Sequence, residues 1–285
     1  LIKTMEEKSV RTIFLQGLLA SATPMFFASI VKRWQKTILF VLNDNDEAGY
    51  FYNDLKTIAM PDNANEQTAE VLFFPSSYRR AVKYGQRDAG NEILRTEVLS
   101  HLSVINEEKT TSSLPLCIVT EPSALAELVV AKHKLDEHTL SMSVGKTIDL
   151  TETEKTLRSY GFQQVDYVYE PGQFAVRGSI LDVYSFSSEL PYRIDFFGND
   201  VDTIRTFEVE TQLSKDKKEK VEIVPELATL SEEKIPFLQF LPKNSVLVMK
   251  DLLYIHDTIE RIYNEGFTAQ ALTEQLEGRT EVEQN

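Results

Sequence analysis

Over residues 1–130, short and wholly apolar runs alternate with stretches of helical periodicity, the pattern of parallel strands covered on both faces. "TIFL" predicts a strand that closes on a tight turn at Gly17, with an amphipathic helix following from about Pro24. "TILFVL" (Thr37–Leu42) predicts a second strand. It meets the turn and cap cluster Asn43–Asp46, and a helix then runs through Leu55. "VLFFP" (Val71–Pro75) precedes an irregular stretch and a helix around Asn91–Leu102. "LPLCIVT" (Leu114–Thr120) runs into Glu121-Pro122-Ser123, where proline suits the first turn of a helix.

The pattern then changes to strict alternation between turns. "TETEKTLRSYGF" predicts a helix that opens on a capping box, Thr151 with Glu154, and closes on Gly161. "QVDYVY" (Gln164–Tyr169), "QFAVRGSILDVYSF", "PYRIDFFG" and "TIRTFEVE" read as strands. Pro171-Gly172 and Gly198-Asn199-Asp200 supply turns between them. The charged run Lys215–Lys220 reads as a linker out of this sheet. "VEIVPE" and "NSVLVMKDL" (Asn244–Leu252) are again short apolar strands beside helical segments.

Neither flank has enough strands for a core of its own, so pooling them is the simplest organisation. The expected fold is α/β. A parallel-sheet, P-loop-like domain is split in sequence (residues 1–130 and 215–285), with a small α+β antiparallel-sheet domain (131–214) inserted.

Composition narrows the function classes. The 285 residues carry 30 Lys and Arg against 44 Asp and Glu, a net charge of -14, which disfavours tight nucleic-acid binding by the chain as a whole. Cations are still clustered locally at Lys32, Arg33, Arg79, Arg80 and Lys83, where "YRRAVKYGQR" mixes them with tyrosines able to grip a strand. No apolar run approaches the roughly 20 residues that span a bilayer, so no membrane role is expected. No basic-then-apolar leader is visible, and a start at Leu1 rather than Met is compatible with trimming. The single Cys117 forbids an internal disulfide, which points to a reducing, cytoplasmic setting, and its apolar run makes it a core residue. The four histidines (His101, His133, His138, His256) are scattered, and no metal site is expected.

A working phosphate loop, G-x-x-x-x-G-K-[ST], needs a second glycine for close backbone approach, a lysine for charge and a hydroxyl for magnesium. Aligned on Gly17, those three positions hold Ala22, Thr23 and Pro24. A Cβ, a neutral side chain and a residue without an N–H take the place of the chemistry. The stretch is either a degenerate nucleotide loop or an ordinary strand–turn–helix, and neither hydrolyses nucleotide.

The alternation in "PYRIDFFG" sends Tyr192, Ile194 and Phe196 to one face and Arg193, Asp195 and Phe197 to the other. The first face is core. The second joins a cation, a carboxylate and an aromatic, and Arg177 of "FAVRG" belongs on the same side. In a purely structural reading, Arg193 and Arg177 pair with Asp195 or Asp182 on a solvated sheet and a loop covers Phe197. In a functional reading the face docks a protein, since arginine and aromatics are enriched at interface hot spots.

The stretch Tyr169–Ser214 resembles the bacterial transcription-repair coupling factors (Mfd). The resemblance rests on E-x-G-x-[FY]-A-x-R-G-x-[IL]-L-D, then P-Y-R-x-[DE]-F-F and "VDTIRTF". The same motifs occur more loosely in the excision-repair subunit UvrB. UvrB, however, has an intact phosphate loop, and its tyrosine-rich hairpin has no counterpart in "FFPSSYRRAVKYGQ". The resemblance is tightest over Leu157–Ser214 and fair over Ile13–Leu42 and "NSVLVMKD". Ser179 and Tyr184 depart from the commoner family residues. It implies the N-terminal UvrB-homology module of a longer protein whose ATP- and magnesium-dependent DNA translocase motor lies beyond Asn285. It implies that the inserted domain binds UvrA through Arg177, Arg193 and Phe197, with no cofactor in this part of the chain. It further implies contacts with RNA polymerase and DNA through other parts, and a C-terminal domain that masks the UvrA face. The competing functions are an active ATP-dependent enzyme of the UvrB kind and a direct DNA-binding module.

Overall fold

The computed structural model describes residues 3–4, 9–31, 33–34, 36–60, 68–77, 89–107, 115–227 and 233–264. The chain divides into two units. One comprises Leu1–Ser76, Thr111–Glu127 and Leu241–Asn285, and the other Ser77–Thr110 and Leu128–Phe240.

In the first unit the apolar runs become a four-stranded parallel sheet, ordered Val246–Met249, Ile38–Val41, Leu116–Thr120, Glu70–Phe74. Strands Ile38–Val41 and Leu116–Thr120 are buried at every position, as wholly apolar sequences require at the centre of a covered sheet. The covering helices are Ala22–Val31 and Asn45–Ala59. Phe27 meets the Phe40 ring edge-on at 5.0 Å, and Phe51 lies at the same distance from Phe40. Asp44 caps the second of these helices by accepting from the Glu47 N–H at 2.9 Å, while Glu47 reaches back to the Asn43 N–H. Glu121 caps the short helix Pro122–Ala126 in the same way, taking the N–H groups of Ser123 and Ala124.

"TIFL" forms no strand: residues 10–16 are irregular and Phe14 is 90% exposed. Apolar character alone did not find it a sheet partner. Cys117, by contrast, is fully buried, and desolvation pushes its thiol up to about 12.

The second unit is built on a six-stranded sheet, ordered Ser214–Lys218, Asp200–Phe207, Tyr192–Phe197, Ile180–Val183, Gln173–Arg177, Gln163–Gln164. All neighbours are antiparallel except the last pair. Two-residue turns join Gln173–Arg177 to Ile180–Val183 and Tyr192–Phe197 to Asp200–Phe207. Gly178 (φ +63°) and Gly198 (φ +64°) each stand first in their turn, a position that needs a left-handed backbone in this kind of hairpin. One face packs Phe174, Leu181, Val183, Tyr192, Ile194 and Ile204 against Leu157 of the helix Leu150–Ser159.

Three expectations change here. The helix is capped by Asp149, not Thr151: its carboxylate accepts from the N–H groups of Thr151 and Glu152, and Glu154 pairs with Arg158 instead. Of "QVDYVY", only Gln164 lies in a strand. The charged run Lys215–Lys220 is not a linker. Ser214–Lys218 is an edge strand, and Lys220–Ile223 pairs with Leu140–Ser143, burying Val221 and Ile223 in the same core. The helix Ala89–Glu107 and a short pair, Leu128–Val130 with Lys234–Pro236, complete this unit.

Candidate functional site

The face of the six-stranded sheet turned away from Leu157 carries the polar half of each alternation. Register places Asp182 directly opposite Arg193, and Arg177 opposite Ile180 one row further along. Asp182 is fully buried, 0% exposed, and gathers both arginines. Arg193 donates from Nε to Oδ1 and from Nη2 to Oδ2, each at 2.8 Å, the forked geometry that guanidinium and carboxylate favour. Arg177 donates from Nη2 to Oδ2 of the same carboxylate and from Nη1 to the Asp166 carbonyl at 2.9 Å.

Aromatic rings and loop carbonyls finish the clamp. Arg193 lies 4.4 Å over the Phe207 ring and donates from Nη1 to the Gln212 carbonyl. Arg177 lies 5.1 Å from the Tyr167 ring, beside an open cleft of about 560 Å³ lined by Gln164, Val165, Asp166, Tyr167, Val176 and Arg177 itself. The hydrogen bonds to Asp182 raise the Arg193 pKa above the ordinary arginine value, so its charge is permanent.

The two arginines differ in exposure, 16% for the Arg193 side chain and 35% for Arg177. Phe197 stands on the same strand face as Arg193 but four residues on, about 13 Å away at ordinary strand rise. It is 83% exposed, so no loop covers it. The arrangement therefore brings Arg177 and Arg193 together around one carboxylate and leaves Phe197 apart from them as an isolated apolar projection.

Asp195, the other acid proposed as a partner, serves Thr203 and Arg205 instead, accepting from the Thr203 hydroxyl at 2.7 Å. Sequence reading missed Arg205, Tyr167 and Gln212. Arg205 had a signal, since it alternates with the buried Ile204 in "TIRTF". Tyr167 and Gln212 lie outside the strands, and periodicity is silent there.

Around Gly17 the geometry is unlike a phosphate cradle. The N–H groups of Ala22, Thr23 and Met25 are already bonded to the carbonyls of Leu19, Ala20 and Ser21, and Pro24, buried in the first helical turn, has none to offer. Gly17 lies in the irregular segment before the helix. Of the cations considered for nucleic acid, Arg33 is exposed, whereas Lys32, Arg79, Arg80 and Lys83 fall outside the described residues. Among the histidines, His256 lies with Asp257 and Glu260 in one exposed cluster on the helix over 252–264.

Comparison with known proteins converges on the same segment. Residues 140–228 match the family described as UvrB interaction domain. The chain is similar to the transcription-repair-coupling factor of Escherichia coli, 33% identical over 38% of the chain and 9% of that protein. It is also similar to those of Haemophilus influenzae, 25% identical over 74% of the chain and 17% of that protein, and Bacillus subtilis, 26% over 84% and 19%. The resemblance drawn from the motifs between Tyr169 and Ser214 thus extends along most of the chain. The matched stretches span less than a fifth of each of these relatives.

Proposed function

We propose that this chain is the N-terminal, non-catalytic module of a transcription-repair coupling factor, and that its inserted antiparallel domain binds UvrA and recruits it to stalled transcription complexes. The observation that carries the reading is the buried Asp182 with two guanidiniums fixed around it. The clamp holds permanent positive charge on a rigid sheet face, and an exposed phenylalanine stands at the end of the same strand. Preorganised arginine and exposed aromatic are what protein interfaces use as anchors. The match to the UvrB interaction domain over the same residues supports UvrA as the partner. Arg177 and Phe197 make the outer contacts, and Arg193, largely covered, positions Asp182 and through it Arg177.

In this reading the parallel-sheet unit is the remnant of a P-loop-like domain split by the insertion. Its engaged amides and Pro24 support a frame that works without ATP or magnesium. Those cofactors, together with the DNA translocase activity and the contacts to DNA and RNA polymerase, belong to other parts of a longer cytoplasmic protein. A C-terminal domain of that protein masks the docking face until the motor engages. Co-elution of this chain with purified UvrA on size exclusion tests the proposal. A shared peak is expected for the wild type, and separate elution at micromolar concentrations contradicts it.

A further inference from the structure

We infer that the docking face continues past the covered Arg193 to the two cations aligned with it, Arg205 and Lys217, which receive an acidic protein surface; the inference extends the docking proposal above and rests on it. Strand register sets Arg193 opposite Arg205 and Arg205 opposite Lys217. Residues directly opposed share a sheet face, so three positive side chains line up across three neighbouring strands, with about 4.8 Å between strands. Like charges so placed destabilise a sheet.

The nearby acids offset this unevenly. Asp182 takes Arg193 and Asp195 takes Arg205, but Lys217 is exposed and makes no ion pair among the described residues. Arg205 carries a further cost: its Nε is buried with no hydrogen-bond partner among the described residues. Lysines on an edge strand do deter pairing between sheets, and Lys215 and Lys218 serve that purpose as well as Lys217 does. Edge protection does not explain the alignment of Lys217 with two arginines.

The sign of the row selects the partner. A chain with net charge -14 repels a phosphate backbone at long range, yet here it presents a local strip of the opposite sign. A protein surface bearing aspartate and glutamate complements the strip, and Phe197 at the end of the strand that carries Arg193 gives that surface an apolar anchor.

The test is the affinity of the full chain for UvrA at low and moderate salt, for the wild type, Lys217→Glu, Lys217→Gln and Phe197→Ala. Lys217→Glu is expected to weaken binding at least ~10-fold, and Lys217→Gln ~3-fold with a shallower salt dependence. Phe197→Ala is expected to weaken binding while keeping the wild-type salt dependence. Wild-type affinity and salt dependence in both Lys217 variants, with Phe197→Ala still weakened, overturns the cation row and leaves the docking face standing. Wild-type binding in all three overturns the docking face itself. Unchanged UvrA binding combined with loss of duplex-DNA retention in Lys217→Glu also overturns the inference, by reassigning the strip to nucleic acid.

Discussion

Arg193 grips both oxygens of Asp182, each at 2.8 Å, and Asp182 has no exposure to solvent at all. A carboxylate so deeply buried is tolerable only because guanidinium groups surround it, and removing either side leaves the other under-compensated.

Asp182→Ala is therefore expected to destabilise the chain by about 2–4 kcal/mol, read as a lower urea midpoint at unchanged slope. A double-mutant cycle with Arg193→Ala should return a coupling of about 1–3 kcal/mol. Additive effects would show that the forked pair contributes little.

Asp149→Ala should cost about 1 kcal/mol through the two first-turn N–H groups it accepts, whereas Thr151→Ala should stay within about 0.5 kcal/mol. Thermal melts of the two variants check the order, and the reverse order would return the cap to Thr151.

The Cys117 thiol, pushed up to about 12, stays protonated at neutral pH in the folded chain. Because the folded value lies above the ordinary 9.0, the stability from the neutral thiol is fully present below that range and is lost as pH climbs towards 12. Thiol labelling at pH 8 should be slow in buffer and rapid in denaturant. Fast labelling of the native chain would contradict the burial.

A fluorescent ATP analogue titrated in the presence of magnesium should give no saturable signal, because the N–H groups of Ala22, Thr23 and Met25 are engaged and Pro24 has none. Saturable, magnesium-dependent binding would restore a nucleotide function to the loop.

What could be read without coordinates follows from what burial writes into a sequence. Ile38–Val41 and Leu116–Thr120 are buried throughout and are wholly apolar, so their strands were plain. Ser214–Lys218 is exposed throughout and held by edge hydrogen bonds, so it left no apolar trace and looked like a linker. Thr12–Leu15 is the converse, apolar yet unpaired, with Phe14 in solvent. At the candidate site, period-two alternation put Arg193 and Phe197 on the right face of their strand. Which acid Arg193 meets depends on the register between Ile180–Val183 and Tyr192–Phe197, and those strands are joined by the irregular connection over 184–191, whose conformation no single strand's period reveals. The stacking of Arg177 on Tyr167 depends on a loop, where no period operates.

The central claim is that the face bearing Arg177 and Phe197 docks UvrA. Calorimetric titration of UvrA into the wild-type chain, Arg177→Ala and Phe197→Ala, alongside melting curves, tests it most directly. At least ~10-fold weaker binding in each variant with the fold intact is the predicted result. Wild-type affinity in both would contradict it.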